Sequence, residues 1–424
     1  MRFLLLSAAL TLSIFPVCAA EWPAWRGPHG TGVADGSEFP VEWSADSNIA
    51  WTTALAGAGG STPAVAGDRI FLTLNADGMN HLLCYGMDGK EQWRRTLGKE
   101  TPGRHRKATG ANSSPVTDGE LVYAYFSSGD LGCFTLDGEP VWSLNAHEKF
   151  GKVTKETLWW DLGNSPALID GGIVLCCVQS GPSWVAAFRN TDGKVLWKVD
   201  RNLEAPEEAN QSYSTPAVVR NEDSSQTIVV LGSDYVTAHA ATDGRQLWRV
   251  GGLNPQQGQY FRSIASPVAS QDVVLAPYAR GATLTAIRMG GSGDVTASHV
   301  MYTKEGPSAD VPTPVLYGDR AFVCGDGKQT RGQVFCLDVA TGKILWSGRL
   351  PRHRATYSAS PVIAGGRIYL TREDGTVFVV DAEADEFQLL SENQVTDEFT
   401  VATPVFVNAQ ILIRTHESLT LVGG

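Results

Sequence analysis

The chain has 424 residues, of which 43% are hydrophobic and only 19% charged, a composition that excludes disorder. Its 45 Gly, 21 Pro and 12 Trp favour many short strands and tight turns over helices. A net charge of −11 argues against nucleic acid as the main partner, and no apolar run reaches the roughly 18–20 residues of a membrane helix.

Along the chain, Met1-Arg2 precedes an apolar stretch to about Phe15, then Pro16 and the small residues Cys18-Ala19-Ala20. This is the pattern of a secretory signal, residues 1–20, with cleavage expected after Ala20 and a periplasmic or secreted destination. Residues 21–47 read as a lead-in, and residues 48–424 as one repeat domain. A small residue followed by proline returns as Thr62-Pro63, Ser114-Pro115, Ser165-Pro166, Thr215-Pro216, Ser266-Pro267, Thr313-Pro314, Ser360-Pro361 and Thr403-Pro404. Each proline opens a short β-like run, a tight turn and a second run; a third run ends in Asp-Gly or Thr-Gly. A fourth carries a tryptophan four residues after that glycine: Trp93, Trp142, Trp197, Trp248 and Trp346. Units five and seven are degenerate there, with Tyr302 and Phe387 near the tryptophan position. Eight four-stranded units of this kind predict an all-β fold, an eight-bladed β-propeller of antiparallel blades. The last unit runs out after three strands, and Asn48-Ile49-Ala50-Trp51 resembles the missing fourth. The ring is therefore expected to close by pairing the chain ends, which removes exposed sheet edges.

Cys336-Leu337-Asp338-Val339-Ala340-Thr341-Gly342-Lys343-Ile344-Leu345-Trp346 resembles the repeat of quinoprotein-type eight-bladed propellers, and Trp22-Pro23-Ala24-Trp25-Arg26-Gly27-Pro28-His29-Gly30-Thr31-Gly32 resembles the start of exported bacterial PQQ-like propeller proteins. The resemblance implies that each repeat tryptophan docks between neighbouring blades. It also spans two kinds of activity, pyrroloquinoline quinone (PQQ) dehydrogenases and cofactor-free scaffolds such as the outer-membrane assembly propeller, so fold alone does not decide function.

In such a propeller the long connections before the prolines share one face, and function concentrates on long loops held by a rigid scaffold. These connections carry Arg104, His105, Arg106 and Lys107 with Asn112; Trp159, Trp160 and Asp161 with Asn164; Tyr213; Tyr260 and Arg262; Arg352, His353 and Arg354 with Tyr357; and Asp397-Glu398. Converging on the channel mouth, they would form an aromatic pocket with an arginine excess suited to an anion, as against the plainer alternative of solvated loop charges and packed loop aromatics. Alanine at Arg104, Arg262 and Arg354 is then expected to weaken anion binding without loss of thermal stability. The adjacent pair Cys176-Cys177 echoes the adjacent-cysteine disulfide that the resemblance attaches to PQQ dehydrogenases, but it falls in a strand, where neighbours face opposite ways. Aligning the turns places Cys177 and Cys324 where other blades have Thr73 and Thr371, and Cys84, Cys133 and Cys336 where others have Ala187, Ala238 and Ala286. The cysteines read as fillers of small core positions.

No haem-attachment, zinc-protease, phosphate-loop, calcium-loop or nucleophile-elbow motif is present, and Gly325-Asp326-Gly327-Lys328 reads as a turn. No catalytic residue and no metal ligand is assigned. The leading expectation is a non-catalytic exported scaffold that binds an anionic small molecule, a glycan or a protein partner through the long-loop face, as a monomer. The alternative is a PQQ- and calcium-dependent dehydrogenase acting on an alcohol or sugar; a hydrolase or lyase has no supporting motif.

Overall fold

The computed structural model describes residues 22–423; the expected signal peptide and its cleavage after Ala20 lie outside the described residues. Eight sheets form the eight blades. Blade one holds Ala64–Ala66, Arg69–Ala76, Met79–Gly86 and Glu91–Lys99 in simple meander order. Blade eight combines Val405–Val407, Gln410–Arg414 and Ser418–Val422 with Ile49–Ala54 from the other end of the chain. Trp51 pairs with Leu421 and Thr53 with Leu419, so the ring closes as expected. Blade five, the most degenerate in sequence, is a full blade of four strands.

The residue before each proline explains how the blades are held at the axis. Proline pushes its predecessor into extended backbone and itself offers no N–H. The predecessor's own N–H then reaches sideways to the next blade. Thr62 N–H donates to Ser114 Oγ, Ser114 to Ser165, Ser165 to Thr215, Thr215 to Ser266, Ser266 to Thr313, Thr313 to Ser360, Ser360 to Thr403, and Thr403 back to Thr62, at 2.9 to 3.2 Å. The eight bonds form a closed ring.

The tryptophans lock the outer part of the blades. Trp93 Nε1 donates to Leu136 O, Trp142 to Asn190 O, Trp197 to Ala241 O, Trp346 to Ala384 O and Trp51 to Met87 O, each in the following blade. The indole lies on the turn glycine of that blade: a Cβ at Gly193, itself at φ +66°, would come within 2.6 Å of the Trp142 ring. In blade five Tyr302 does the same work, its hydroxyl donating to Val339 O. Trp248 is covered instead by Gly293–Asp294, which adds a parallel strand to blade four. Phe387 does not occupy the tryptophan position of blade seven. Val379 there pairs with Ser391, whose hydroxyl donates to Val41 O, while Phe387 packs on Trp346 of blade six. The lead-in thus fills the interface that lacks an indole, with Phe39 and Trp43 buried in the core shared with blades one, seven and eight.

All six cysteines among the described residues are buried and free. Register corrects one alignment. Val174 pairs with Ala167 as Phe71 does with Ala64, so Cys176, not Cys177, stands where blade one has Thr73. A one-residue slip exchanges the two faces of a strand; the turns of blades one and three are equally long, Ala66 pairing with Arg69 and Ile169 with Gly172, so Cys176 stands as far from Pro166 as Thr73 does from Pro63.

Two histidines are buried as neutral rings. His147 faces the Tyr125 hydroxyl, and His239 bonds Gly244 O and Thr237 Oγ1; burial lowers both to about 4. The unfolded chain binds these two protons near pH 6.5, the native chain only near 4, so their contribution to stability falls as pH drops through that window, by on the order of 3 kcal/mol each. Ring-proton NMR should place both titrations near 4, with the urea midpoint falling over the same window; a midpoint near 6.5 for either ring would refute this assignment. For the indole lock, Trp197→Ala should cost about 3–5 kcal/mol in urea unfolding. The exposed neighbour substitution Leu196→Ala should cost less than about 0.5 kcal/mol. Equal losses would show that the docked indole does not hold the blades.

Candidate functional site

The long loops surround an axial cavity of ≈ 730 Å³. Its floor is part of the hydroxyl ring: Thr62, Ser114, Ser165, Thr215 and Ser266 all line it. Each of these hydroxyls accepts its neighbour's N–H, and none donates its own proton to a protein acceptor among the described residues. The floor therefore presents unused O–H donors.

Below the ring sits the lead-in. Trp22 exchanges backbone bonds with Val65, Thr117 N–H donates to Pro23 O, and Ala34 N–H to Ile363 O. Trp25 Nε1 donates to Thr403 Oγ1 at 3.2 Å. The buried Arg26 guanidinium donates to the carbonyls of Pro361 and Pro314 at 2.9 Å and of Thr31 at 3.0 Å. Burial lowers its pKa to about 9, so it remains a cation at neutral pH. The segment that resembles the start of exported propellers is thus the plug of the channel. A second cavity of ≈ 550 Å³ lies on the plug side, and Trp25, Thr215 and Ser266 border both cavities.

The wall is aromatic. Trp159 and Tyr260 stand 6.3 Å apart, and His105 meets Trp160 edge-on at 5.6 Å. The indoles are fixed from behind: Trp159 N–H donates to Gln211 Oε1, Trp160 N–H to the Tyr213 hydroxyl, and Trp160 Nε1 to Glu208 Oε1 at 2.9 Å. Trp160 stays 40% exposed and Tyr260 52%. Burial, then the charges of Lys107 and Arg106, lower the His105 pKa, so the ring is neutral at neutral pH.

Of the sequence-predicted residues, His105, Arg106, Lys107, Asn112, Trp159, Trp160, Asp161, Tyr213, Tyr260 and Arg262 line the cavity. The others do not. Arg104 is a staple: its N–H donates to Asp161 Oδ2 and its guanidinium to the carbonyls of Leu158 and Trp159. Asn164 is buried and donates to Cys176 O. Arg352, His353 and Arg354 lie on an exposed loop, where His353 meets Asp374, and Tyr357 is buried against Phe378. Glu398 accepts from the hydroxyls of Thr415 and Ser418, inside blade eight.

The lining has no arginine excess. Arg106, Lys107, Arg262 and Arg280 are matched by Asp161, Glu208, Asp310 and Asp326. Arg262 forks onto Asp310 at 3.1 and 3.0 Å, with Glu208 3.4 Å from its Nε. Lys107 contacts the buried Glu373. Asp326, in the segment read as a turn, accepts the N–H groups of Asp310 and Val311, and burial raises its pKa to about 6. Both its oxygens are occupied in holding the Asp310 loop. Glu208, Asp310 and Asp326 were not singled out because each pairs with a partner far along the chain or in backbone, a relation that sequence spacing does not carry. Arg280 is the residue with a local signal, lying just before Gly281. Ala279 and Arg280 both adopt left-handed backbone, at φ +53° and +56°, a strain that collects at functional sites.

The pairing also overturns the expectation that alanine at Arg262 leaves stability untouched. Arg262→Ala strips two largely buried carboxylates of their partner and should cost about 3–5 kcal/mol. Arg354→Ala, on an exposed loop, should cost less than about 0.5 kcal/mol. Thermal or urea unfolding checks this, and equal small losses would show that the Arg262 cluster is not a structural unit.

Comparison with known proteins adds the family. No curated protein matches the sequence. Among solved structures, BamB from Moraxella catarrhalis superposes with a TM-score of 0.60 at 15% identity, over 89% of this chain and 99% of its own. Quinohemoprotein alcohol dehydrogenase from Comamonas testosteroni gives 0.68 at 12%, over 96% of this chain and 81% of its own. Saccharomyces cerevisiae Sqt1 gives 0.61 at 10%, over 90% and 100%. At these identities the likeness is one of fold. The family model described as outer membrane protein assembly factor BamB matches residues 33–181, 133–325 and 296–388, and the chain belongs to this PQQ-like, BamB-type family of β-propellers.

Proposed function

We propose that the protein is an exported, non-catalytic scaffold that takes up a ligand or partner in the axial cavity of its long-loop face. The observation that carries this reading is the lining itself: aromatic walls fixed from behind, and as many acids as bases, with Arg262 held by Asp310 and Glu208 and Lys107 by Glu373. The description of the family as an assembly factor supports a scaffold role, and the leader-like residues 1–20 support export. No helix among the described residues is long and apolar enough to cross a membrane.

The alternative is a PQQ dehydrogenase, which needs a quinone beside a calcium ion or similar Lewis acid and a carboxylate base. The residues present do not fit that pair. Among the described residues no three His, Cys, Asp or Glu side chains are grouped so as to hold a metal ion. The tricarboxylate would meet as many acids as bases in the lining. Cys176 and Cys177 are buried free thiols in the strand Gly172–Cys177, and neither lines the cavity.

Calorimetric titration of the protein with PQQ, with and without calcium, tests the reading. No one-to-one uptake and no dye reduction with alcohols or sugars is the expected result. Tight, calcium-dependent binding with turnover would replace the scaffold by a dehydrogenase.

A further inference from the structure

We propose that the axial cavity is a binding site for a neutral oligosaccharide, an inference that rests on the scaffold reading above. Four observations converge on this chemistry. The first is the exposed aromatic pair. Trp160 and Tyr260 come from different loops and keep 40% and 52% of their surface open. Exposed rings gathered on the wall of one cavity, rather than scattered singly, mark a contact surface. Trp160 is held by its backbone N–H and its Nε1, and a rigid ring loses little entropy on binding. The electron-rich face of such a ring attracts the electropositive C–H hydrogens on one side of a pyranose.

The second observation is the floor. Thr62, Ser114, Ser165, Thr215 and Ser266 each hold an O–H with no protein acceptor among the described residues. Sugar hydroxyl oxygens accept such bonds readily. The third is charge: four bases face four acids. The Arg262–Asp310–Glu208 cluster offers planar donors and acceptors without a net field that would select an anion. The fourth is size, since ≈ 730 Å³ falls within the roughly 300–1,000 Å³ of small-molecule sites. A peptide added as a strand would need a free sheet edge, whereas this wall is built from loops and side chains.

The test uses tryptophan fluorescence and calorimetry with cellotriose, maltotriose and triacetylchitotriose, and with trigalacturonate as the charged counterpart. At least one neutral trisaccharide should saturate a single site, with a Kd that changes less than about twofold between low and high salt. Trp160→Ala and Tyr260→Ala should each weaken it by about tenfold or more at unchanged melting temperature. Three results would overturn the proposal: no saturable binding of any neutral trisaccharide up to about 10 mM; salt-sensitive binding of trigalacturonate alone; or undiminished binding in both aromatic variants. Failure to bind sugars together with failure to bind PQQ would leave the scaffold reading standing, whereas calcium-dependent PQQ turnover would remove the scaffold reading itself.

Discussion

The propeller depends on a hydrogen bond that proline makes available. A residue forced into extended backbone by the proline after it has one N–H to place, and the neighbouring blade supplies a hydroxyl at the same position. Repeated eight times, the bond closes on itself, from Thr62 round to Thr403 and back. Each blade contacts chiefly its two neighbours, so stability is a sum of interface terms. The ring sets the inner end of every interface and the docked indole the outer. Where the indole is missing, another group fills the gap: Tyr302 in blade five and the lead-in beside Ser391, while Trp248 of blade four is present but covered by Gly293–Asp294.

Much of this was legible because it is periodic. The proline positions, the glycine-to-tryptophan spacing and the Asn48–Trp51 strand are local patterns that repetition makes unmistakable, and they specify blade number and closure. What could not be read is relational. The Ser/Thr before each proline marked the repeat, yet its bond runs to a residue some fifty positions away. Arg262 reads as a free cation until Asp310 is placed against it. The slip between Cys176 and Cys177 arises when the turn glycines rather than the prolines anchor the alignment, since Cys176 is as far from Pro166 as Thr73 is from Pro63. Phe387 was nearest the expected tryptophan in sequence, but strand register, not proximity, decides which side chain meets the next blade.

The cavity illustrates how a family can keep its frame while its chemistry varies. The donors of the floor come from residues the fold needs for its own closure, so they are present whatever the loops carry. The loops then set selectivity by what they place above that floor. Here they bring aromatic rings and equal numbers of acids and bases, and the lead-in tryptophan seals the opposite end. A scaffold and a redox enzyme can therefore share one fold and differ in what their loops carry.

The plug also constrains the order in which the chain can fold. Arg26 and its carbonyl partners Pro314 and Pro361 are 288 and 335 residues apart in sequence, and Ile49–Ala54 pairs only with the last strand of the chain. Trp22 and Pro23 can bind blades one and two early, through Val65 and Thr117, but the Arg26 cradle and the closing strand must await the final blades. Contacts of such long range are slow to form, and a chain cut after blade five would leave a guanidinium on the axis without its carbonyl cradle. Full seating of the lead-in therefore depends on the finished ring: Arg26 and the strand Ile49–Ala54 find their last partners only when blades six to eight are in place.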